Sequence, residues 1–174
     1  GVQFNIAAYA EDLGHGPERA AGLISLMSLA MIAGKLVFGS LADRSDHRHL
    51  YWGAAGCMAA ALVLVQGEPP YPLLAFAAVL LGLAAGSLLP LMGTMLGSRF
   101  GTASFGRVIG LGTMFITIGA AGPLIAGWLH DLTGSYDQAF SLFLALIVPA
   151  AIAMRWLPPV DAPHEPVVSG RDDV

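Results

Sequence analysis

Apolar residues fill long, nearly unbroken blocks of this chain, and short polar stretches separate the blocks. An α-helix rises 1.5 Å per residue and the hydrocarbon core of a bilayer is about 30 Å thick, so about 20 apolar residues cross it. Five blocks approach or exceed this length, and an incomplete block opens the chain. The predicted spans are residues 1–10 (partial), 20–41, 50–67, 73–98, 108–129 and 139–157. The pattern predicts an all-α, polytopic membrane protein with five full transmembrane helices and a truncated first one.

The polar stretches between the blocks are short and contain residues that interrupt helices. Residues 43–49 are charged, residues 68–72 hold three prolines, and residues 133–135 are small and polar. Such clusters favour turns, and none is long enough to form a domain. Residues 158–174 hold four prolines and five charges among few apolar residues, a composition typical of disorder. We therefore predict a transmembrane helix bundle at 1–157 and a disordered cytoplasmic tail at 158–174.

The composition supports a membrane protein and argues against other classes. Charged residues make up only 11% of the chain and hydrophobic residues 56%, whereas soluble domains carry about 25% charged residues. The net charge is −4 and Lys and Arg form no cluster, which argues against nucleic acid, because its binding depends on neutralising phosphates. The single cysteine, Cys57, rules out an internal disulfide and a cysteine-based metal site.

Arginine is distributed unequally between the two sides of the predicted membrane. Cytoplasmic connections of membrane proteins carry an excess of Lys and Arg. One side of this topology holds only Arg19. The other side holds Arg44, Arg48, Arg99, Arg107, Arg155 and Arg171. We therefore expect a multi-pass protein of the plasma (inner) membrane with its C-terminus in the cytoplasm.

The chain also contains an internal repeat. Residues 33–43 and 121–131 match at six of eleven aligned positions, at an offset of 88 residues. Three predicted crossings separate the two copies, so one copy ends in the cytoplasm and the other outside. Inverted repeats of this kind are the basis of many secondary transporters.

Three segments resemble signatures of the major facilitator superfamily. Residues 39–48 (GSLADRSDHR) are similar to its G-x-L-A-D-R-x-G-R-R loop, with departures at Asp46 and His47. Residues 99–101 (RFG) and 122–136 (GPLIAGWLHDLTGSY) resemble R-F-G and G-P-x-x-x-G-x-L-x-D-x-T-G-S-Y patterns of the branch that contains monocarboxylate and oxalate/formate transporters.

The resemblance implies half of a twelve-helix fold, from the end of helix 7 to helix 12. It further implies secondary transport of a small organic solute by alternating access around a site near the bilayer midplane. The expected partners are the lipid bilayer, the missing N-terminal six-helix half, the solute, and a proton or counter-solute. The second hypothesis is a transport-inactive membrane sensor or assembly protein that keeps the transporter scaffold.

Lys35 is the only charge well inside a predicted span. Intramembrane charges usually face a bundle interior or a water-filled path, because exposure to lipid is costly. Lys35 is therefore a candidate counter-charge for an anion such as a monocarboxylate. Alternatively it snorkels to the interface or pairs with Asp43, which lies eight residues, or about 12 Å, further along the helix.

Other candidate residues fall into three groups. Polar side chains expected to line the cavity, with Lys35, are Gln3, Asn5, Tyr9, Ser25, Ser28, Thr113 and Thr117. Ser and Thr commonly bond carbonyls of their own helix, so each hydroxyl also has a structural interpretation. The resemblance implies a cytoplasmic gating loop of Gly39, Asp43, Arg44 and Arg48, with Asp43 docked on a helix N-terminus; these charges also fit plain positive-inside residues. Pro90 and Pro123 are expected to kink their helices.

Catalytic chemistry lacks candidates in the predicted spans. A nucleophile or general base needs a positioned partner, and the span interiors contain no His, Asp or Glu. His130 and Asp131 lie at a helix end, where we expect them to cap or to be solvated. We therefore expect no enzymatic activity, no metal site and no cofactor.

Overall fold

The computed structural model describes residues 2–42, 45–119 and 121–156, and within them every regular element is an α-helix. The helices are α1 (Val2–Asp12), α2 (Pro17–Ala42), α3 (His47–Leu64), α4 (Tyr71–Gly119), α5 (Gly122–Thr133) and α6 (Asp137–Arg155). Three helical segments are long and apolar enough to cross a membrane: Pro17–Ala42, Tyr71–Phe100 and Asp137–Arg155. The all-α membrane fold is thus supported, and the count of five full spans is not confirmed. The tail predicted at 158–174 lies outside the described residues.

α3 falls short of a candidate span because of its first turn. It has 18 residues and begins with His47, Arg48 and His49, which lower the hydropathy of the helix. Asp46 caps this end, and its carboxylate accepts a hydrogen bond from the backbone N–H of Arg48 at 2.9 Å. A side-chain acceptor at this position satisfies one of the free donors of the first turn. The cap therefore fixes where α3 begins.

α4 differs most from the predicted boundaries. Separate spans at 73–98 and 108–129 require a connection at 99–107, but α4 is one helix of 49 residues, about 74 Å long at 1.5 Å per residue. Residues 99–107 are polar yet contain no proline, so nothing blocks their backbone hydrogen bonds. α4 instead ends at Gly119, and α5 begins at Gly122. Pro123 follows in the first turn of α5, where its missing N–H has no cost, rather than kinking the middle of a span.

α2 packs most extensively against α4, and three glycines bring the two backbones into contact. A Cβ added at Gly34 would lie 2.6 Å from the carbonyl oxygen of Leu83. A Cβ added at Gly82 or Gly86 would clash with the carbonyl oxygen of Met27 or Met31, respectively. Small residues at four-residue spacing allow this close approach between membrane helices. We call this contact the glycine seam (Gly34, Gly82 and Gly86).

All six helices contribute side chains to the main core. Its largest fully buried apolar side chains are Ile6, Leu23, Leu62, Val65, Leu74, Leu81 and Phe140. Many other large apolar side chains remain exposed, among them Leu29, Leu36, Leu124, Trp128 and Leu146. Apolar surface of this extent is covered in use by lipid or by further protein.

Candidate functional site

The exposed face of α2 carries three of the predicted cavity residues. Ser25, Ser28 and Lys35 are all exposed, and at 100° per residue they fall within about 80° of one another around the helix. The opposite face of α2 forms the glycine seam. A Cβ at Gly86 would lie 3.1 Å from the backbone nitrogen of Lys35, so α4 lies directly behind the residue that carries the charge.

Large apolar side chains surround Lys35 on the exposed face of α2. Leu29, Ile32 and Leu36 on this side of α2 are more than half exposed. Within the described residues no carboxylate lies within 4.0 Å of the Lys35 ammonium; Asp43, its predicted partner along the helix, lies outside them. A charge that faced hydrocarbon here would be costly. We therefore expect the Lys35 ammonium to contact water, a ligand or further protein rather than lipid.

The hydroxyls predicted to line the cavity bond to their own helices. On α2, Ser25 donates to the carbonyl of Ala21 at 3.1 Å and Ser28 to that of Ile24 at 2.8 Å. On α4, exposed Thr113 and Thr117 donate to the carbonyls four residues earlier, at 2.8 Å and 3.0 Å. A hydroxyl that donates its proton in this way keeps its lone pairs as acceptors. Among these exposed side chains, Lys35 is therefore the one that can donate hydrogen bonds to a ligand.

α1 directs its polar side chains elsewhere. Tyr9 is 5% exposed; its hydroxyl donates to the carbonyl of Val65 at 2.5 Å, and its ring packs edge-on against Tyr136 and Phe140. The amide of Asn5 donates to the carbonyl of Pro123 at 3.4 Å. The structure thus places Tyr9 in the core and Asn5 against α5, apart from the exposed face of α2. Gln3 lies in α1, and its side chain lies outside the described residues.

The predicted gating loop is described only in part, because Asp43 and Arg44 lie outside the described residues. Gly39 is half-buried, and a Cβ there would lie 4.0 Å from the Cβ of Pro90. The Nη2 of Arg48 donates to the backbone carbonyl of Arg155 at 2.8 Å. Arg48 therefore ties the start of α3 to the end of α6.

The predicted kink position Pro90 lies inside the continuous helix α4. Proline lacks the N–H that would bond to the carbonyl four residues earlier. The hydroxyl of Thr94 contacts the carbonyls of Pro90 and Leu91, at 3.0 Å and 3.1 Å. The helix therefore continues through Pro90, and the Thr94 hydroxyl adds side-chain hydrogen bonds to the turn that follows the proline.

Sequence reasoning missed a polar cluster that joins α1 to α5 and to the start of α6. His130 Nε2 lies 3.1 Å from Asp12 Oδ2, and His130 Nδ1 lies 3.8 Å from Asp131 Oδ1. The imidazole stacks on Tyr136 with ring centroids 4.3 Å apart. Burial, followed by the carboxylates of Asp12 and Asp131, raises the pKa of Tyr136. We call these four residues the His130 cluster.

The only sequence signal for the His130 cluster is indirect. The predicted topology places the ends of α1 and α5 on the same side of the membrane, yet Asp12 and His130 are far apart in the chain. The two carboxylates approach opposite nitrogens of one imidazole, and among the described residues no three His, Cys, Asp or Glu side chains are grouped to hold a metal ion.

Apolar helices with exposed apolar faces and a lysine within one of them define a multi-pass integral membrane protein. A family model described as Major Facilitator Superfamily matches residues 2–173. The chain belongs to this superfamily, as its sequence motifs predicted.

The similar curated proteins are monocarboxylate transporters. Monocarboxylate transporter 11 of Homo sapiens is 33% identical over 165 residues, which cover 88% of this chain and 35% of the relative. Monocarboxylate transporter 12 of Xenopus laevis is 28% identical over 142 residues (79% of this chain, 31% of the relative). Monocarboxylate transporter 9 of Gallus gallus is 32% identical over 123 residues (68% and 24%).

The predicted resemblance to the monocarboxylate branch is confirmed by these relatives. This chain spans about a third of the length of the first relatives it matches. No solved structure matches it.

Proposed function

We propose that this chain is part of a secondary transporter that moves a small organic anion, such as a monocarboxylate, across the membrane by alternating access. The observation that carries the proposal is the exposed Lys35, the only charge on a mainly apolar face of a membrane-spanning helix. The names of the relatives support the same class of solute. In this proposal the N-terminal six-helix half of the protein covers the exposed face of α2 and encloses the solute between the two halves.

Lys35 is the anion-binding residue of this proposal. A charge-assisted hydrogen bond between an ammonium and a carboxylate is about twice as strong as one between neutral groups. The low dielectric of a bundle interior strengthens the attraction further. Ser28 and Ser25 accept hydrogen bonds from hydroxyl groups of the solute or from water, because their own protons bond to α2 carbonyls.

The coupling species is a proton or a counter-solute. The described carboxylates all lie at or near helix ends or between helices, away from the middle of the spans: Glu11, Asp12, Glu18, Asp46, Glu68, Asp131 and Asp137. A proton that accompanies the anion is therefore carried by the solute or by a group in the other half. Exchange of one anion for another needs no such group.

The cytoplasmic side of the proposed transporter carries the gating loop. Gly39, Asp43, Arg44 and Arg48 form it, and Asp43 docks on a helix of the other half when the cytoplasmic side is closed. Gly39 lies near the end of α2 and faces Pro90 of α4 at a distance that leaves room for a Cβ. The C-terminus lies in the cytoplasm and the protein in the plasma membrane.

Uptake by the full-length protein in proteoliposomes tests the proposal. We would measure uptake of labelled small carboxylates under an imposed pH gradient, for the wild type, Lys35→Ala and Lys35→Arg. Leu36→Ala is the matched control, because Leu36 is also exposed on α2 but is uncharged. We expect Lys35→Ala to reduce uptake at least tenfold, Lys35→Arg to keep part of it, and Leu36→Ala to keep most of it.

Two outcomes would contradict the proposal. Uptake by a folded Lys35→Ala variant at the wild-type rate would remove Lys35 from the transport path. A folded wild type that moves no carboxylate would exclude the anion as substrate. If it also moved no neutral or cationic solute, the scaffold would serve as a sensor or assembly protein instead.

A further inference from the structure

A groove on the outer surface of the bundle lies between α3 and α6. Its volume is about 390 Å³, and its walls are two stripes of apolar side chains. Trp52, Ala55, Gly56 and Ala59 form the α3 wall, at positions i, i+3, i+4 and i+7. The α6 wall is formed by Ile147, Val148, Ala151 and Ile152 and ends at Arg155. Because the two helices are antiparallel, Trp52 and Arg155 lie at the same end of the groove.

Two guanidinium groups lie at this end. Arg48 at the start of α3 donates through Nη2 to the backbone carbonyl of Arg155, at 2.8 Å. This bond uses one of the five N–H donors of Arg48 and does not involve the side chain of Arg155. Within the part of the chain that the structure describes, neither guanidinium has a carboxylate within 4.0 Å. Among the described residues, this end of the groove therefore carries two guanidinium groups that have no ion-pair partner.

Exposed tryptophans mark the same end as the boundary between water and hydrocarbon. Trp52 is 49% exposed and Trp156 is 82% exposed. Tryptophan is enriched at membrane interfaces, and Arg155 is the last residue of the candidate span Asp137–Arg155. The groove thus runs from the interface, where it is cationic, towards the middle of the bilayer, where it is apolar.

We propose that the α3–α6 groove binds an anionic phospholipid. The phosphate lies between the guanidinium groups of Arg48 and Arg155, which offer the bidentate donors that suit phosphate. One acyl chain lies along the apolar walls formed by Ala55, Gly56 and Ala59. Anionic lipids are concentrated in the cytoplasmic leaflet, the side on which the arginine distribution places these residues. The groove lies on other helices than Lys35, so this site goes beyond the proposed transport site.

Lipid retention by the purified full-length protein tests this site. We would expose the protein in detergent to phosphatidylglycerol, phosphatidylcholine or inorganic phosphate, and count bound molecules by native mass spectrometry. Arg155→Gln removes one guanidinium and leaves the Arg48 hydrogen bond intact, because that bond uses the backbone carbonyl. Arg19→Gln is the matched charge control at the other end of the bundle.

We expect the wild type to retain phosphatidylglycerol in preference to phosphatidylcholine and to retain no inorganic phosphate. Arg155→Gln should weaken phosphatidylglycerol binding about fivefold, the factor that corresponds to about 1 kcal/mol for each basic residue at an anionic surface. Arg19→Gln should have no effect. An equal loss in both variants, or none in Arg155→Gln, would overturn the proposal.

A second variant examines the acyl chain. A Cβ at Gly56 meets no atom within 4 Å, so Gly56→Leu fills the groove without a backbone clash. Gly106→Leu on α4 is the control, because its added side chain also enters open space. We expect Gly56→Leu alone to displace phosphatidylglycerol. If Gly56→Leu instead left lipid binding unchanged and dissociated a dimer in size-exclusion chromatography, the groove would be an interface between two copies.

Discussion

The two faces of α2 are built from different residues and make different contacts. One face places Gly34 against α4, where Gly82 and Gly86 bring the two backbones together. The other face exposes Ser25, Ser28 and Lys35 among large apolar side chains. The first face fixes the position of the helix against α4. The second face leaves two hydroxyl groups and one ammonium group exposed. The difference predicts that stability and transport depend on separate residues of one helix.

The largest effect should come from filling the glycine seam. Gly86→Leu places a side chain against the carbonyl oxygen of Met31, and overpacking of this kind costs about 1–3 kcal/mol or more. We expect loss of most folded protein, measured by size-exclusion chromatography after heating. Gly93→Leu is the control, since a Cβ at Gly93 on the same helix meets open space. Equal thermal stability of the two variants would show that the seam is not tight.

Removing the charge from the other face should separate transport from stability. We expect Lys35→Met to reduce carboxylate uptake at least tenfold while the melting temperature stays within a few degrees of the wild type, because Met keeps the length of the side chain. Paired uptake and thermal-unfolding measurements on one preparation check this. A strong loss of stability would mean that Lys35 has a structural partner and that the two faces are not independent.

The His130 cluster should contribute less than the glycine seam. The contact between His130 and Asp12 is partly exposed, and partly exposed pairs of this kind contribute about 0.2–1 kcal/mol. We expect a coupling energy in this range from a double-mutant cycle of His130→Ala and Asp12→Asn, measured by chemical unfolding. His49→Ala combined with Asp12→Asn is the control pair, because exposed His49 lies at the start of α3. A coupling of zero would remove the cluster as a link between α1 and α5.

The smallest effect should appear only in alkaline solution. Burial, with the carboxylates of Asp12 and Asp131, raises the pKa of Tyr136 above its ordinary value of 10.0. The folded protein therefore holds the phenolic proton more tightly than the unfolded chain does, so this stabilisation is present below pH 10 and is lost as the pH rises above it. We expect Tyr136→Phe to lose less stability than the wild type above pH 10. Melting temperatures of the two proteins, measured over a series of pH values, check this. A larger loss of stability in Tyr136→Phe than in the wild type above pH 10 would contradict the prediction.

Apolar blocks predicted where most helices lie, but not where they end. The spans predicted at 20–41 and 139–157 correspond to Pro17–Ala42 and Asp137–Arg155. The span at 50–67 is shifted to His47–Leu64, because Asp46 caps the helix three residues earlier and Gly67 lies beyond its end with a positive φ of 76°. Hydropathy detects burial in hydrocarbon, whereas the ends depend on single capping residues.

Polarity was a poor guide to the interruption of α4 and to the roles of polar side chains. Arg99 and Arg107 flank a stretch predicted as a connection, yet a helix continues wherever its hydrogen bonds are not blocked. Tyr9 and Ser28 were both predicted to line the cavity, but the hydroxyl of Tyr9 donates to the carbonyl of Val65 within the core. The contacts of Tyr9 and of the His130 cluster join residues that are distant in the chain, so they follow from packing and not from local pattern.

The glycine seam also has a mechanical consequence. Gly86 lies directly behind the backbone of Lys35, so no compressible side chain separates the charged residue from α4. Any relative sliding of α2 and α4 would first have to separate two backbones in contact. If the solute binds Lys35 as proposed, we therefore expect its binding and release to move α2 and α4 together as one rigid unit.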